Sequence, residues 1–500
     1  MADYDLAIIG GGINGTGLAR DAAGRRLRVL LVEQNDLASG TSSASTKLIH
    51  GGLRYLEHGA FRLVREALHE REVLLRMAPH LIRPLRFMLP LKSGLRSALW
   101  LRLGLFIYDH LGGRKLLPGT RSIDLTHHPV GQPLKRLFHY GFEFSDCLVD
   151  DSRLVVLTAL DAAERGAVIR TRTRCIRAQR REEWELVLNT RGRREVTTAR
   201  VLVNAAGPWI GEVADTVIRR PLPAPVRLVK GSHIVVRRPF EHDCGYLLQA
   251  ADRRVVFALP FMQDFTLIGT TDESFVGDLN SPAPDPDEVM YLCRTVNEYF
   301  RDQVTPDELV WSFAGVRSLY DDGADKPEDV TRDYVLALDE VHGEAPLLTI
   351  YGGKITTHRR LAEAAMERIG IFFGALPPWT AGATLPGGDF PVDGFYELVA
   401  ETIGRWPFLA EPHARRLVRA YGRRLERILG AAQSMDDLGD RFTGDLTGAE
   451  VRYLVENEWA QSADDVLWRR SKLGLKATPE ERSALRRFIT SLQATRQSAP

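Results

Sequence analysis

The chain has 500 residues, 44% hydrophobic and 26% charged, with 66 Lys and Arg against 65 Asp and Glu for a net charge of +1. This excludes a disordered chain, removes any global electrostatic case for nucleic acid, and leaves room for two or three domains with a large core. Four scattered cysteines without a CxxC pair argue against a disulfide scaffold or a metal site, and neither a signal peptide nor a run of eighteen apolar residues is read.

YDLAIIG, from Tyr4 to Gly10, predicts a buried strand, and NGTGLARDAAGR predicts a helix ending near Arg25. RLRVLLVE, ending at Glu33, predicts the next strand. Between strand and helix, Gly10, Gly12 and Gly15 satisfy G-x-G-x-x-G. There the first glycine makes the turn, the second admits a pyrophosphate to the backbone, and the third allows close packing of helix on sheet. The helix N-terminus, with Ile13 and Asn14, offers free N–H groups to phosphates. Glu33 stands where an acid accepts from ribose hydroxyls, which disfavours a 2′-phosphate. The order strand, motif, helix, strand, acid predicts a dinucleotide site.

The next stretch, DLASGTSSASTKLIHGG, is crowded with Ser, Thr and Gly rather than repeating the βαβ pattern. Gln34, Thr41, Ser42, Ser43, Ser45, Lys47, Leu48 and His50 are candidates to line a long ligand. In KLIHGGLRYLEHG, the Gly51–Gly52 pair suggests main chain pressed against a flat ring where a Cβ would not fit.

From Val73 to Thr120, eight Lys or Arg face Asp109 alone, a net of +7, among leucines and aromatics. Such a segment is either a solvated basic face or a membrane-interface element. Cys175 follows a predicted helix, near an expected adenine edge, and is read as a small buried residue rather than a chemical group. ARVLVNAAGPW is a strand ending at small residues, where Ala206, Gly207 and Trp209 leave room for a cofactor. KGSHIVVRR, RVVFALPFMQDFTLIGTTDE, LVWSFAGVRSLY and RDYVLALD predict strands of a second domain. Leu347 to Gly370 reads as strand, Gly352–Gly353 turn and amphipathic helix, with Lys354, Thr356 and Thr357 at the helix start. Two helix N-termini, one for a pyrophosphate and one for charge on a reduced ring, suit FAD better than NAD. Beyond Phe395 the pattern is helical and Arg-rich.

The segments TSSASTKLIHGGLRYLEHG, KGSHIVV, IGTTDE and YGGKITT closely resemble the FAD-dependent respiratory glycerol-3-phosphate dehydrogenases of bacteria, along nearly the whole chain. Ser318 and His358 stand where that family is expected to carry proline and tyrosine. The resemblance implies an α/β fold: a Rossmann-like, glycine-oxidase/DAAO-like FAD-binding domain, an antiparallel-sheet substrate domain and a C-terminal helical cap. The expected boundaries are 1–72, 142–214 and 347–370 for a discontinuous FAD domain, 73–120 for the basic segment, 226–339 for the substrate domain and 390–500 for the cap. It implies oxidation of sn-glycerol 3-phosphate to dihydroxyacetone phosphate by hydride transfer to flavin N5, with electrons passed to a membrane quinone. It further implies peripheral attachment to an anionic lipid surface on the cytoplasmic face, often as a dimer. The basic segment is favoured as the membrane contact.

Within that reaction, a phosphate dianion calls for guanidinium groups, and Arg54, Arg317 and Arg332 are the candidates, with Tyr55 and Thr270 as neutral donors. The base is read as His233, with His50 behind it; Lys354 is a third candidate or a charge stabiliser, and Arg317 also stands near the chemistry. A soluble oxidase passing electrons to oxygen, a flavin amine oxidase and a non-catalytic flavin module are the rival readings.

Overall fold

A computed structural model of the protein describes residues 2–57, 59–92, 97–237, 240–321, 323, 333–374 and 377–498. Two sheets and a helical C-terminal unit organise them. In the first sheet, the parallel run is Leu347–Tyr351, Arg193–Asn204, Tyr4–Ile9, Val29–Val32 and Val168–Arg170. Tyr4–Ile9 is central, and its Leu6 and Ile8 are fully buried, as expected for a strand covered on both faces. The Ile13–Gly24 helix packs on it, with Leu18, Ala19 and Ala22 fully buried.

The second sheet is mostly antiparallel. It is built around Val226–Arg237, which pairs with Leu309–Tyr320 on one side and Phe265–Gly269 on the other. Val255–Phe261, Gly245–Gln249, Ile82–Pro90 and Tyr140–Val149 extend it. The Pro286–Tyr299 helix covers one face, opened by a capping box in which Asp285 and Glu288 satisfy each other's amides.

Strand membership departs from the expected boundaries in two places. Val335–Asp339, expected in the substrate domain, pairs antiparallel with Leu347–Tyr351 in the first sheet. The seven-residue connection between them favours a local hairpin over a crossing to the other sheet. Tyr140–Val149, placed largely in the FAD domain, runs antiparallel to Ile82–Pro90 in the second sheet. The 73–120 stretch is therefore not one amphipathic element. It holds the end of the Phe61–Met77 helix, the mostly buried strand Ile82–Pro90 and the Ala98–Leu111 helix. These elements carry Arg76, Arg83, Arg86 and Arg102, with Lys92, Arg114 and Lys115 in the connections, and Arg86 is spent on Glu143.

The C-terminal unit has its own core, with Trp406, Leu417, Leu446, Leu454 and Leu485 among its buried residues. It is tied to the first sheet's layer by charge. Arg470 bonds both oxygens of Asp36 at 2.8 Å, Arg172 reaches Asp465 at 2.8 Å, and Arg153 pairs with Glu458 with both side chains fully buried.

Candidate active site

One cavity runs from Glu33, past the glycine motif, to the inner strands of the second sheet. Its first end is made of backbone and small residues. Gly10 has φ +118°, and a Cβ there would lie 2.4 Å from the Ala205 carbonyl oxygen. A Cβ on Gly15 would sit 2.0 Å from the Gly10 carbonyl oxygen. Gly15 is buried behind the cavity wall and serves the turn-to-helix packing, while Gly10, Gly12, Ile13 and Asn14 line it. Glu33 accepts from the amides of Gly11 at 2.7 Å and Asn35 at 2.8 Å. Those two amides orient the carboxylate as an acceptor for ribose hydroxyls, while burial, with Asp36 adding to the effect, raises its pKa. Gln34, Cys175, Ala206, Gly207 and Trp209 complete this end. Burial pushes the Cys175 thiol up to about 12, which makes it a packing residue.

The middle wall is the hydroxyl-rich loop. Thr41, Ser42, Ser45 and Leu48 line the cavity; Ser43 and Lys47 do not. The Ser42 hydroxyl accepts from the Ile13 amide at 3.0 Å. Lys47, expected to touch the cofactor, turns away. Its ammonium bonds Asp151 at 2.8 Å and the Ser43 carbonyl at 2.9 Å, and both partners of that ion pair are buried. Since Asp151 also accepts from the Ser45 hydroxyl at 2.8 Å, it pins the loop from behind. A buried lysine needs such a carboxylate, and the sequence carries no mark of which lysine has one.

At the far end, Gly352, Gly353, Lys354 and Thr356 line the cavity, whereas Thr357 is buried outside it. Gly352 and Gly353 adopt φ +62° and +96°, ahead of a turn at Ile355–Thr357 that leads into the His358–Ile369 helix. Asn14 donates to the Gly352 carbonyl at 2.9 Å, which ties the two helix starts together, and its Oδ1 is buried without a protein partner. That unpaired acceptor facing the cavity, the small-residue bed and Glu33 fit a dinucleotide lying along the wall. Among the departures from the expected family pattern, Ser318 lines this end and His358 packs against Gly17 with its Nδ1 on the Ile355 carbonyl.

His50, Arg54, Tyr55, Thr270, Arg317 and Lys354 meet at this end. Arg317 bonds Asp272 at 2.6 Å, and Arg54 stands 3.6 Å from the other oxygen of the same carboxylate. Lys354 Nζ lies 3.7 Å over the Tyr55 ring. Arg332 lies outside the described residues. Asp272 was not anticipated, although IGTTDE was; an acid among arginines is visible only once the strands pair. Gly231 was missed as well. A Cβ there would lie 2.7 Å from the Thr270 hydroxyl and 2.8 Å from the Arg317 guanidinium, so its lack of a side chain makes room for both.

Two further expectations are corrected. His233 does not line the cavity. It is 1% exposed, stacks on Phe313 and hydrogen-bonds the Thr46 hydroxyl at 3.0 Å, so Thr46 stands between it and the cavity. Alternation along Val226–Arg237 puts it on the inner face beside Lys47 and Arg317, and burial holds its pKa well below the usual value. His50 does line the cavity; burial, then Lys354 and Arg71, hold it at about 3, a neutral imidazole at physiological pH. The second correction concerns Gly51 and Gly52. A Cβ on Gly51 would strike Leu68 at 2.5 Å and Tyr108 at 2.8 Å, and one on Gly52 would strike the Tyr55 ring at 2.3 Å. Both glycines answer to the protein's own packing, and Gly52 also to its left-handed φ of +78°.

Comparison with known proteins agrees with this architecture. The FAD dependent oxidoreductase family matches residues 5–359, and the C-terminal domain of alpha-glycerophosphate oxidase matches residues 379–497. The chain is 49% identical to glycerol-3-phosphate dehydrogenase of Pseudomonas aeruginosa (98% of this chain, 95% of that one). It is 50% identical to D-erythritol 1-phosphate dehydrogenase of Brucella abortus (96% of each) and 46% identical to the aerobic glycerol-3-phosphate dehydrogenase of Escherichia coli (100% and 99%). Among solved structures, the glycerol-3-phosphate dehydrogenase from Bacillus halodurans complexed with FAD superposes with a TM-score of 0.75 at 24% identity, over 98% of this chain and 94% of that one. The fold and cavity are those of a flavoprotein oxidoreductase. The chain belongs to the FAD-dependent oxidoreductase family, in the branch with the aerobic glycerol-3-phosphate dehydrogenases and the C-terminal domain of alpha-glycerophosphate oxidase. Its cofactor is FAD.

Proposed function

We propose that the chain oxidises sn-glycerol 3-phosphate to dihydroxyacetone phosphate and delivers the electrons to a membrane quinone. The observation that carries this is the convergence of Arg54 and Arg317 on Asp272, beside His50 and Lys354, at the cavity end remote from Glu33. When bound, FAD supplies the two-electron acceptor. Arg317 and Arg54 grip the phosphate by charge-assisted hydrogen bonds, with Asp272 keeping both guanidinium groups extended before substrate arrives. Thr270 and Tyr55 add neutral donors, and Arg332 is assigned to the same phosphate. His50, held neutral, takes the hydroxyl proton, and the incoming dianion raises its basicity by opposing Lys354.

Relatives named for glycerol 3-phosphate and for D-erythritol 1-phosphate are about equally similar to this chain, so both phosphoesters belong in the test. Steady-state assays with a soluble electron acceptor should favour sn-glycerol 3-phosphate by kcat/KM. Faster turnover of the four-carbon ester would move the substrate assignment to it, and stoichiometric peroxide from the purified enzyme would favour an oxidase.

No described helix is long and apolar enough to cross a membrane. The Ala98–Leu111 helix nonetheless presents Leu99, Trp100, Leu103 and Phe106, 46% to 76% exposed, with Arg102 and Lys115 exposed near them. Aromatic and leucine side chains flanked by cations fit an anionic lipid surface. Co-flotation with anionic vesicles should be lost on replacing Trp100 and Phe106 with serine, while turnover with a soluble acceptor stays within twofold. Equal flotation of wild type and variant would move the contact elsewhere.

A further inference from the structure

The inner face of that same helix does something its outer face does not suggest. Tyr108 is 1% exposed, and its hydroxyl lies 2.8 and 2.9 Å from the two oxygens of Asp146. The same hydroxyl accepts from the Gly51 amide at 2.7 Å. Asp146 is fixed from its other side by Arg71, whose guanidinium also reaches the Ser145 carbonyl at 2.8 Å. A chain of buried polar groups thus runs from strand Tyr140–Val149, through the helix, to the backbone between His50 and Gly52. Burial makes each link costly to leave unmade.

Gly51 has little freedom to move otherwise. Leu68 and Tyr108 close on it where a Cβ would be, and the next residue is left-handed. Immediately after comes the turn Leu53–Leu56, which carries Arg54 and Tyr55, while the His50 amide is held by the Thr356 hydroxyl at 3.2 Å. The segment is therefore held at one point by Thr356 of the Ile355–Thr357 turn and at another by Tyr108. Arg54 has one carboxylate at 3.6 Å, a distance that a small shift of this backbone would change substantially in either direction.

We infer that Tyr108 is a positioning residue for the phosphate-binding loop: its hydroxyl, offered by the Ala98–Leu111 helix and oriented by Asp146, sets the Gly51 backbone and hence the reach of Arg54 and Tyr55. Tyr108 does not touch the cavity; Asp146 and the loop do. This rests on the phosphate assignment made above for Arg54, but the loop-fixing role does not.

The test compares Tyr108→Phe with Leu105→Ala in the full-length holoenzyme. Leu105 is fully buried on the same helix, one turn away, and carries no polar link to the loop. In Tyr108→Phe, KM for glycerol 3-phosphate rises about tenfold while kcat and flavin content stay within twofold. Amide hydrogen exchange over residues 48–57 quickens about tenfold in the resting enzyme. Leu105→Ala lowers the melting temperature yet leaves KM and that exchange within twofold. Unchanged exchange in Tyr108→Phe overturns the inference, as do equal rises of KM and exchange in both variants, which would mark a general loosening. Faster exchange with unchanged KM keeps Tyr108 as the loop's anchor and instead removes Arg54 from the phosphate.

Discussion

The two ends of the cavity are built on different principles. The nucleotide end is a surface of absences: Gly10, Gly12, Ala205, Ala206 and Gly207 let main chain and a helix N-terminus come close, and Glu33 supplies a charged acceptor. The substrate end is a meeting of long charged side chains, Arg54, Arg317 and Lys354, drawn from segments roughly 40 to 300 residues apart, with the two arginines on Asp272. Close approach to backbone is enforced by local sequence; a cluster of charges exists only after two sheets have folded against each other. The first end should therefore fail in an all-or-none way when changed, and the second in graded steps.

Gly15→Val gives the sharpest break. Its side chain would collide with the Gly10 carbonyl at the heart of the turn. Purified protein is expected to carry less than a tenth of the wild-type flavin, read from visible absorbance; retained flavin would show that the turn yields. At the other end, His50→Asn should keep its flavin and lose roughly 10²–10⁴ in kcat, the range for a lost general base. His233→Asn should lose less, through Thr46. If the order of these two variants is reversed in flavin-reduction rates, the buried histidine is the base after all.

Arg317→Ala removes a charge-assisted contact of about 2–3 kcal/mol and should raise KM roughly a hundredfold with flavin content unaltered. Arg54→Ala, from the looser side of Asp272, should raise it about tenfold. Equal or negligible effects would separate the arginines from the phosphate.

The last expected effect is on stability and not on turnover. Burial holds His50 and His80 at about 3 and His358 at about 4, and His233 well below its usual value. The unfolded chain binds protons on these rings below about pH 6.5, where the folded chain does not, so stability must fall as pH drops from 6.5 toward 4. Each ring contributes about 1.4 kcal/mol per pH unit in that window. His80, with neither ring nitrogen bonded, is the cleanest probe: His80→Leu should flatten the acid side of a melting-temperature profile. An unchanged profile would mean that His80 already carries its proton in the fold.

The same contrast explains what could be read in advance. Strand, glycine motif, helix and Glu33 were legible because each residue answers to its neighbours in sequence. The helical C-terminal unit was legible from period alone. Resemblance brought Arg54, Arg317, Thr270 and Lys354 to one place, but Asp272, the partner of the two arginines, and the gap left by Gly231 appear only with strand register. His233 misled because alternation along a strand says which residues share a face, without saying what stands in front of them. Lys47 misled because a buried ion pair leaves no local signature. Gly51 and Gly52 were correctly read as places where no Cβ fits, yet what presses there is Leu68, Tyr108 and Tyr55.

Everything proposed for the site requires a phosphoester alcohol under the Arg54–Arg317 cluster within reach of bound FAD. Anaerobic mixing of holoenzyme with sn-glycerol 3-phosphate tests it most directly. Bleaching of the flavin's visible absorbance is expected with the phosphoester, none with glycerol or amino acids, and bleaching at much higher substrate concentration in Arg317→Ala. Flavin that stays yellow with sn-glycerol 3-phosphate, or that bleaches as readily with unphosphorylated glycerol, would contradict it.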